Sequence, residues 1–353
     1  VLIGTAAIAV VYTQPLLAQN AERVGIIARQ VTVRIDADGQ QAGSGAIIAA
    51  EGNTYYVLTA KHVIISNRDY EIITADGKTY GIESSQVIRL PEVDLAIIAF
   101  TSSTRYTPVQ LGDSDRLQLG TSIYVAGWPK LSGTPSLQFT PGQISGRERQ
   151  TEGYELGYTN TTSEGMSGGP VLDENGFLVG IHGQAEGQEI TNEQGQNLRV
   201  KPGFNWGIPF KVFIEKAPLA YAEAGKEKLR NRDYTGAIAD FNQGLKFNPN
   251  SPDAYTGRGY AYYAQQKYRE AIGDATQAIQ SNPQLAAAYL VRGAAYARQG
   301  SHRQAIADFD RTIQLKPDFA EAYGQRALSR AELGEYRNAN LDAAEAIRLA
   351  EDN

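Results

Sequence analysis

The sequence predicts two parts of different fold class, a mainly β part followed by an all-α part built from repeats. In the first part, short apolar runs of strand type alternate with turn signals, a pattern typical of a β-barrel or sandwich. After Phe213 the apolar period changes from two residues to 3.6, which indicates helices. The helical part also repeats at a fixed step. At 353 residues the chain is long enough for each part to have its own core.

The first 18 residues are predominantly apolar and end in Ala18. This run is too short to cross a bilayer, but it matches the hydrophobic core and cleavage region of a secretory signal. Since no basic segment precedes it, such a signal is either truncated or atypical. The alternative is a buried strand of the β part. We expect residues 1–18 to be a signal peptide, the protein to be secreted or periplasmic, and no membrane span to remain after removal of the signal.

Composition and motifs restrict the partners and cofactors of the chain. The net charge of −6 gives no basic footprint for nucleic acid. The absence of cysteine excludes disulfides, a cysteine nucleophile and thiolate metal sites. The sequence also lacks metal-binding and phosphate-binding motifs of standard spacing. We therefore expect no metal, no cofactor and no nucleic-acid partner.

A serine surrounded by glycines, Ser167, is the first candidate for chemistry. Gly165, Gly168 and Gly169 permit a tight, partly left-handed backbone that directs successive N–H groups to one point. There Ser167 can attack a carbonyl while the N–H groups of Gly165 and Ser167 stabilise the oxyanion. The segment continues as a strand, an Asn175-Gly176 turn and a second strand, not as a strand-to-helix elbow. The alternative is a glycine-rich turn with an incidental serine.

Two upstream residues suit the other roles in nucleophilic catalysis. His62 directly follows a strand of buried type and is one of three histidines in the chain, and histidine is the most frequent general base near neutral pH. Asp94 interrupts the apolar run 93–100, where a carboxylate is costly unless it is paired. Such an aspartate can hold a histidine in its reactive tautomer. The alternative is that Asp94 caps a strand end or bonds to a backbone N–H, which is the more frequent role of such an aspartate taken alone.

The order His62, Asp94, Ser167 and the segments around these residues resemble the trypsin/chymotrypsin-like serine proteases of bacterial type. The resemblance covers about residues 26–216, which with the preceding residues gives a predicted protease domain at 24–216. It implies two six-stranded β-barrels with the active site in the cleft between them. It also implies His62 as base, Asp94 as its orienter, Ser167 as nucleophile, and Gly165 and Ser167 as oxyanion donors. The segments that carry the resemblance are 58–63, 94–97, 165–170, 180–182 and 201–209.

The same resemblance identifies candidate pocket residues and one departure from the family. Thr161, Thr162, His182 and Gly183 match the positions that line the primary substrate pocket, and bacterial glutamyl endopeptidases carry a histidine where His182 lies. A preference for acidic residues is therefore one hypothesis, and a purely structural histidine is the other. Met166 replaces the aspartate with which digestive relatives bind a newly cut N-terminus, so we expect no zymogen switch of that kind.

The helical part repeats every 34 residues. Asn-Pro or Lys-Pro pairs, tyrosines, arginines and alanines recur at this step, and the pattern is that of tetratricopeptide repeats. We predict four repeats within 218–351. The recurring residues are Asn248, Asn282 and Lys316; Tyr255, Tyr289 and Tyr323; Arg258, Arg292 and Arg326; and Ala237, Ala271, Ala305 and Ala339.

Stacks of such repeats form a groove that binds peptides, so a protein partner in the groove is expected. Most of the groove positions are small, apolar or aromatic, without the lysine–asparagine set that binds a C-terminal carboxylate. The sequence thus predicts an exported serine endopeptidase acting on proteins or peptides, with repeats for protein interaction. The alternative is an inactive protease-like scaffold that acts through the groove. The groove positions are Asp253, Thr256, Tyr260 and Tyr263; Ala287, Leu290, Ala294 and Ala297; and Glu321, Gly324, Leu328 and Ala331.

Overall fold

A computed structural model of the chain describes residues 19–65, 68–83, 86–130, 136–185, 188–191, 197–200 and 205–351. The predicted signal, residues 1–18, lies outside the described residues. The chain divides into two compact units, residues 1–216 and residues 217–353.

The first half of unit 1 is an antiparallel sheet that follows a helix, α1 (residues 19–31). The alternating sequence pattern predicts a strand over residues 30–35, but Gln30 and Val31 end α1 and the strand begins at Thr32. The sheet has the order β5-β4-β1-β2-β3-β7-β6. Its strands are β1 (Thr32–Ala37), β2 (Gln40–Glu51), β3 (Thr54–Thr59), β4 (Tyr70–Ile73), β5 (Thr79–Ile82), β6 (Val87–Arg89) and β7 (Ala96–Thr101).

Alternating residues of these strands form the core of the first half, because successive side chains of a strand point to opposite faces. The sheet curls, so that Tyr80 of β5 and Phe100 of β7 meet with ring centroids 4.7 Å apart. Tyr55 stacks on Phe100 from β3. These aromatic contacts bury the largest apolar side chains of the first half.

The second half of unit 1 is a closed antiparallel barrel with the order β10-β15-β12-β11-β8-β9. The Gln-, Gly-, Glu- and Asn-rich composition of residues 184–200 predicts a loop, but the described residues of this stretch include two further strands, β13 and β14, which pair antiparallel. Residues 192–196, between these two strands, lie outside the described residues. The strands are β8 (Ser122–Gly127), β9 (Gln138–Arg147), β10 (Leu156–Tyr158), β11 (Pro170–Asp173), β12 (Leu178–Ala185), β13 (Gln188–Thr191), β14 (Asn197–Val200) and β15 (Asn205–Pro209).

The predicted β architecture in two halves is confirmed, but the described strands of the first half form a sheet whose hydrogen-bonded order does not close, instead of a six-stranded barrel. The second half has the six closed strands that the resemblance implies. The first half has seven described strands, because the short β6 pairs with the outer side of β7. The predicted strand–turn–strand after Ser167 is confirmed as β11 and β12, and Gly176 takes a φ of +82° in their turn.

Unit 2 consists of paired helices at the predicted register, and the helix that begins it also forms the end of unit 1. Alanine or glycine lies where paired helices approach most closely: a Cβ at Gly225 would lie 2.8 Å from the Phe241 ring. Among the described residues, no helix is both long and apolar enough to cross a membrane. The helices are α2 (Phe210–Arg230), α3 (Tyr234–Phe247), α4 (Pro252–Ala264), α5 (Tyr268–Ser281), α6 (Ala286–Arg298), α7 (His302–Leu315), α8 (Ala320–Glu332) and α9 (Tyr336–Glu351).

A repeated ion pair links the two helices of each repeat after the first. An arginine of the first helix binds an aspartate of the second, 16 residues later, through two parallel hydrogen bonds. This bidentate geometry is the strongest form of a charged pair. The pairs are Arg258–Asp274, Arg292–Asp308 and Arg326–Asp342.

Candidate active site

The structure brings His62 and Asp94 together, as the sequence predicts. His62 lies in a 3₁₀ helix, Lys61–Val63, directly after β3, and Asp94 precedes β7, the strand that pairs with β3. His62 Nδ1 lies 2.6 Å from Asp94 Oδ2, and the backbone N–H of His62 donates to Asp94 Oδ1 at 2.8 Å. The side chain of His62 is 46% exposed and that of Asp94 is 3% exposed. The imidazole is therefore fixed from its buried side and accessible from the other.

The Asp94 carboxylate has a second side-chain partner besides His62. The hydroxyl of Tyr154 donates to Asp94 Oδ2, and the backbone N–H of Asp94 donates to Glu152 O at 2.9 Å. Burial alone would raise the pKa of Asp94, but the hydrogen bonds from His62 and Tyr154 outweigh it, and the pKa lies below its ordinary value. Asp94 thus stays ionised at neutral pH, which is the state that can orient an imidazole.

The loop around Ser167 depends on glycine in the way the sequence predicts. Gly165 and Gly168 have φ angles of +92° and +86°, which residues with a side chain rarely adopt. A Cβ at Gly168 would lie 2.2 Å from Ser44 O, and one at Gly169 would lie 2.0 Å from Ala126 O. The loop therefore approaches the backbones of both β halves at distances that only glycine permits.

The same contacts place the Ser167 loop beside the segment that carries His62. A Cβ at Gly168 would also lie 3.0 Å from the backbone nitrogen of Ala60, two residues before His62. A Cβ at Gly43 would contact both the Val63 side chain and Ser167 O. The candidate base and the candidate nucleophile thus lie on adjoining segments at the junction of the seven-stranded sheet and the barrel.

The backbone N–H groups of Gly165 and Ser167, the predicted oxyanion donors, belong to peptide units whose carbonyls are hydrogen-bonded. The N–H of Lys130 donates to Glu164 O at 2.6 Å, and the N–H of Gly169 donates to Met166 O at 3.0 Å. Because a trans peptide directs its N–H opposite to its carbonyl, these bonds also fix the N–H groups of Gly165 and Ser167. Within the described part of the chain, neither of these two N–H groups donates a hydrogen bond.

Ser44 holds the carbonyl side of the same loop. Its hydroxyl donates to Gly165 O at 2.8 Å and accepts from the N–H of Trp128, and its backbone N–H donates to Ser167 O at 2.8 Å. Ser44 is fully buried, so water does not compete for these bonds. Sequence reasoning missed this residue; the segment Gly43-Ser44-Gly45 at the start of a strand was the only signal for it.

The hydroxyl of Ser167 does not bond to His62 in this structure. It donates to Gly183 O at 2.9 Å. A nucleophile activated by His62 needs this hydroxyl to turn toward the imidazole, which is a rotation about one side-chain bond. Catalytic hydrogen bonds are often absent before substrate binds.

The predicted pocket residues lie next to this loop with most of their polar groups engaged. His182 is buried, and its Nδ1 lies 2.7 Å from the Tyr158 hydroxyl. The hydroxyl of Thr162 donates to the side chain of Asn205, whereas Thr161 is exposed. Burial raises the pKa of Tyr158, so its hydroxyl stays protonated. Met166, where digestive relatives have an aspartate, is buried in the apolar core of the barrel.

Among the described residues there is no cluster of three or more histidine, aspartate or glutamate side chains able to hold a metal ion. The chemistry available at this site is that of an oriented imidazole, a hydroxyl and two backbone N–H groups.

Comparisons with known proteins match both parts of the chain. The profile of the trypsin-like peptidase domain family matches residues 43–181. A probable periplasmic serine endoprotease, DegP-like, from Bartonella henselae is 30% identical over 199 residues, which are 55% of this chain and 35% of that protein. An HtrA-like serine protease from Staphylococcus haemolyticus is 31% identical over 154 residues, which are 40% of this chain and 24% of that protein. The chain thus spans about a third or less of the length of these relatives.

A solved structure and the repeat profiles complete the comparison. The HtrA-type protease AlgW with a tripeptide is 25% identical, with a TM-score of 0.44, over 55% of this chain and 61% of that chain. Tetratricopeptide repeat profiles match residues 225–266 and 258–320. The chain therefore combines a trypsin-like peptidase domain with C-terminal tetratricopeptide repeats.

Proposed function

We propose that the chain is an exported serine endopeptidase whose residues 24–216 cleave peptide bonds and whose residues 218–351 bind a protein partner. The observation that carries the proposal is the short His62–Asp94 hydrogen bond on a segment packed against the Ser167 loop. The relatives described as periplasmic or as serine proteases support both the activity and export through residues 1–18.

The proposed reaction proceeds by acylation and hydrolysis. His62 Nε2 takes the proton of Ser167 as its oxygen attacks the peptide carbonyl, and the N–H groups of Gly165 and Ser167 donate to the resulting oxyanion. The protonated His62, stabilised by Asp94, then gives the proton to the leaving amine. Water attacks the acyl-enzyme in the second half of the cycle by the same route.

Covalent labelling tests the nucleophile directly. A fluorophosphonate probe should modify the full-length protein at Ser167, identified by mass spectrometry of the labelled peptide, and the Ser167→Ala variant should remain unlabelled. A matched control is Ser102→Ala, which removes a buried hydroxyl bonded to Tyr80 in the first sheet and should label as the wild type does. Absence of labelling in the wild type would refute the proposal.

One observation favours the second candidate function, a protease-like scaffold without activity. The Ser167 hydroxyl donates to Gly183 O, which leaves it unactivated in this state. If peptide binding to the full-length protein is measurable while no probe reacts under any condition that preserves the fold, the scaffold function replaces the first proposal.

A preference for acidic residues is the finer part of the proposal. This preference requires His182 and the hydroxyls of Thr161 and Thr162 to bind a carboxylate side chain, with the Thr162 hydroxyl turned away from Asn205. Digestion of a peptide library by the full-length protein should then give cleavage after glutamate or aspartate. Cleavage after hydrophobic or basic residues would reject the acidic preference and leave the protease proposal intact.

The repeat groove is proposed as the site for the protein partner. Tyr260 and Leu328, at groove positions of two different repeats, are 45% and 64% exposed. Large exposed apolar side chains on a repeat surface are typical of a binding face. A random peptide array probed with full-length Ser167→Ala protein should give binders that are lost after Tyr260→Ser and Leu328→Ser. Binders that retain their affinity in these variants would place the interaction elsewhere.

A further inference from the structure

The hydroxyl of Tyr154 contacts Asp94, although Tyr154 has no part in the proposed acylation and hydrolysis steps. It donates to Asp94 Oδ2, the same oxygen that faces His62 Nδ1. Tyr154 is 3% exposed and lies between β9 and β10 of the barrel, whereas Asp94 lies just before β7 of the seven-stranded sheet. The second half of the unit thus reaches across to hold the candidate orienter of the first.

The turn before Tyr154 is shaped to make this contact. Residues Thr151–Gly153 form a 3₁₀ helix in which Glu152 and Gly153 have φ angles of +55° and +85°. A Cβ at Gly153 would lie 2.9 Å from Val93 Cγ1, so the turn packs directly on the residue before Asp94. A left-handed non-glycine residue such as Glu152 costs conformational free energy, which the surrounding contacts offset.

The space for the phenol depends on the absence of a side chain at Gly183. A Cβ at that position would lie 2.1 Å from the Tyr154 hydroxyl oxygen and 2.3 Å from its ring. The carbonyl of the same Gly183 accepts the hydroxyl of Ser167. Tyr154 therefore lies between the candidate orienter on one side and the strand that faces the candidate nucleophile on the other.

We propose that Tyr154 is a positioning residue of the protease site, which fixes the Asp94 carboxylate so that its Oδ2 aligns with His62 Nδ1. This inference rests on the proposed function. The phenol is neutral, so it stabilises the buried carboxylate by a hydrogen bond without neutralising its charge. The negative charge of Asp94 therefore remains available to stabilise the imidazolium of His62.

The electrostatics of the cluster support this role. Burial and the Asp94 carboxylate raise the pKa of Tyr154, so the phenol remains a donor, while the pKa of Asp94 is lowered. The titratable groups facing Asp94 are His62 and Tyr154, and those facing Tyr154 are Asp94, Tyr158 and Glu152. Without the phenol donor, Asp94 binds a proton more readily.

The test compares two replacements of Tyr154 in the full-length protein, one that removes the hydrogen-bond donor and one that strengthens it. Tyr154→Phe keeps the ring and removes the donor, so kcat/KM on a peptide ester should fall about tenfold, mainly through kcat. The acid limb of its pH profile, which reports the His62–Asp94 pair as a unit, should move to higher pH. Site-specific 3,5-difluorotyrosine at residue 154, a stronger donor of nearly the same shape, should move that limb to lower pH.

Controls separate this inference from the proposed function. Tyr80→Phe removes another hydrogen-bonded hydroxyl of unit 1 away from the site, and its pH profile should match the wild type. A wild type without activity or labelling would refute the proposed function itself. An active wild type whose acid limb is unmoved by both changes at residue 154 would overturn the role of Tyr154 alone. The difluorotyrosine protein gives this answer even if Tyr154→Phe does not fold.

Discussion

Both units contain buried aspartates, but their hydrogen-bond partners differ in kind. Asp94 in unit 1 is 2% exposed and receives hydrogen bonds from an imidazole and a phenol. Asp274, Asp308 and Asp342 in unit 2 are 8%, 5% and 4% exposed, and each receives two parallel bonds from an arginine. Each of these carboxylates satisfies the rule that a buried charge must be paired.

The difference lies in the partner. A guanidinium stays protonated throughout the physiological range, so the arginine pairs of unit 2 have one charge state and serve cohesion between helices. The pKa of Arg292 is raised further by its hydrogen bonds to Asp308. An imidazole gains and loses its proton near neutral pH, so the pair with Asp94 has two states. A carboxylate bound to a group that titrates can assist proton transfer; one bound to a fixed cation holds a fold together.

Removing the charge of Asp94 should give the largest effect. Asp94→Asn keeps the shape but favours the wrong imidazole tautomer, so kcat on a peptide substrate should fall about 10⁴-fold. Asp36→Asn is the matched control, because Asp36 is also buried in unit 1 but bonds to Arg34 away from the site. Its kcat should stay close to that of the wild type. Equal losses in both variants, measured on folded protein, would show that Asp94 acts only on stability.

The arginine pairs should affect stability instead of activity. Arg292→Leu leaves Asp308 buried without its cation, and unfolding in urea followed by helical circular dichroism should show a loss of about 3 kcal/mol. Arg292→Leu with Asp308→Leu together should recover most of this loss, because no buried charge then remains unpaired. The exposed Arg303 of the same helix as Asp308 supplies the control, and Arg303→Leu should change stability by less than about 0.5 kcal/mol. A double variant as unstable as the single one would contradict this account.

The sequence could reveal Asp94 but not its complete environment. A single carboxylate in an apolar run, such as Asp94, indicates that a partner must stabilise its charge. His62, one of only three histidines, follows a neighbouring strand and was therefore a candidate partner. Tyr154 carried no such signal, because it follows an irregular turn and reaches Asp94 only through the meeting of the two β halves. The hairpin β13–β14 and the helical end at Val31 were missed for a related reason, since their periodicity is short and their pairing is set by tertiary contacts.

Only one partner of each arginine–aspartate pair in the repeats was predicted from the sequence. The arginines were recognised from their 34-residue step, but their partners were not, although Asp274, Asp308 and Asp342 recur at the same step. The missing inference was that two series of opposite charge, offset by 16 residues, face each other across a helix pair. Periodicity in the sequence can reveal such a contact because the same two positions meet in every repeat. The contacts of the protease site occur only once in the chain, so no periodicity indicates them.

The first repeat offers the smallest and most discriminating effect. Asp240 occupies the aspartate register, but Ala224 stands where the arginine would be, and Lys228 Nζ lies 2.8 Å from Asp240 Oδ2. Burial raises the pKa of Asp240 despite the lysine. A raised pKa means that the folded state binds the proton more tightly than the unfolded state. The charge of Asp240 therefore destabilises the fold at neutral pH, and stability is regained as the pH falls through the raised pKa.

Replacing Asp240 by a neutral residue of the same shape should therefore change the stability of the fold only slightly. Asp240→Asn should change the free energy of unfolding at pH 7 by less than about 1 kcal/mol, in either direction, since the amide keeps the shape and removes the penalty. Asp308→Asn, by contrast, leaves Arg292 without its anion and should cost about 2–3 kcal/mol. Urea unfolding at pH 7 and at about pH 4, near the ordinary pKa of an aspartate, should also show that Asp240→Asn loses the gain at lower pH that the wild type has from this residue. If Asp240→Asn were as costly as Asp308→Asn, the lysine would be an equal substitute for arginine, and the number of parallel hydrogen bonds would not decide the strength of these pairs.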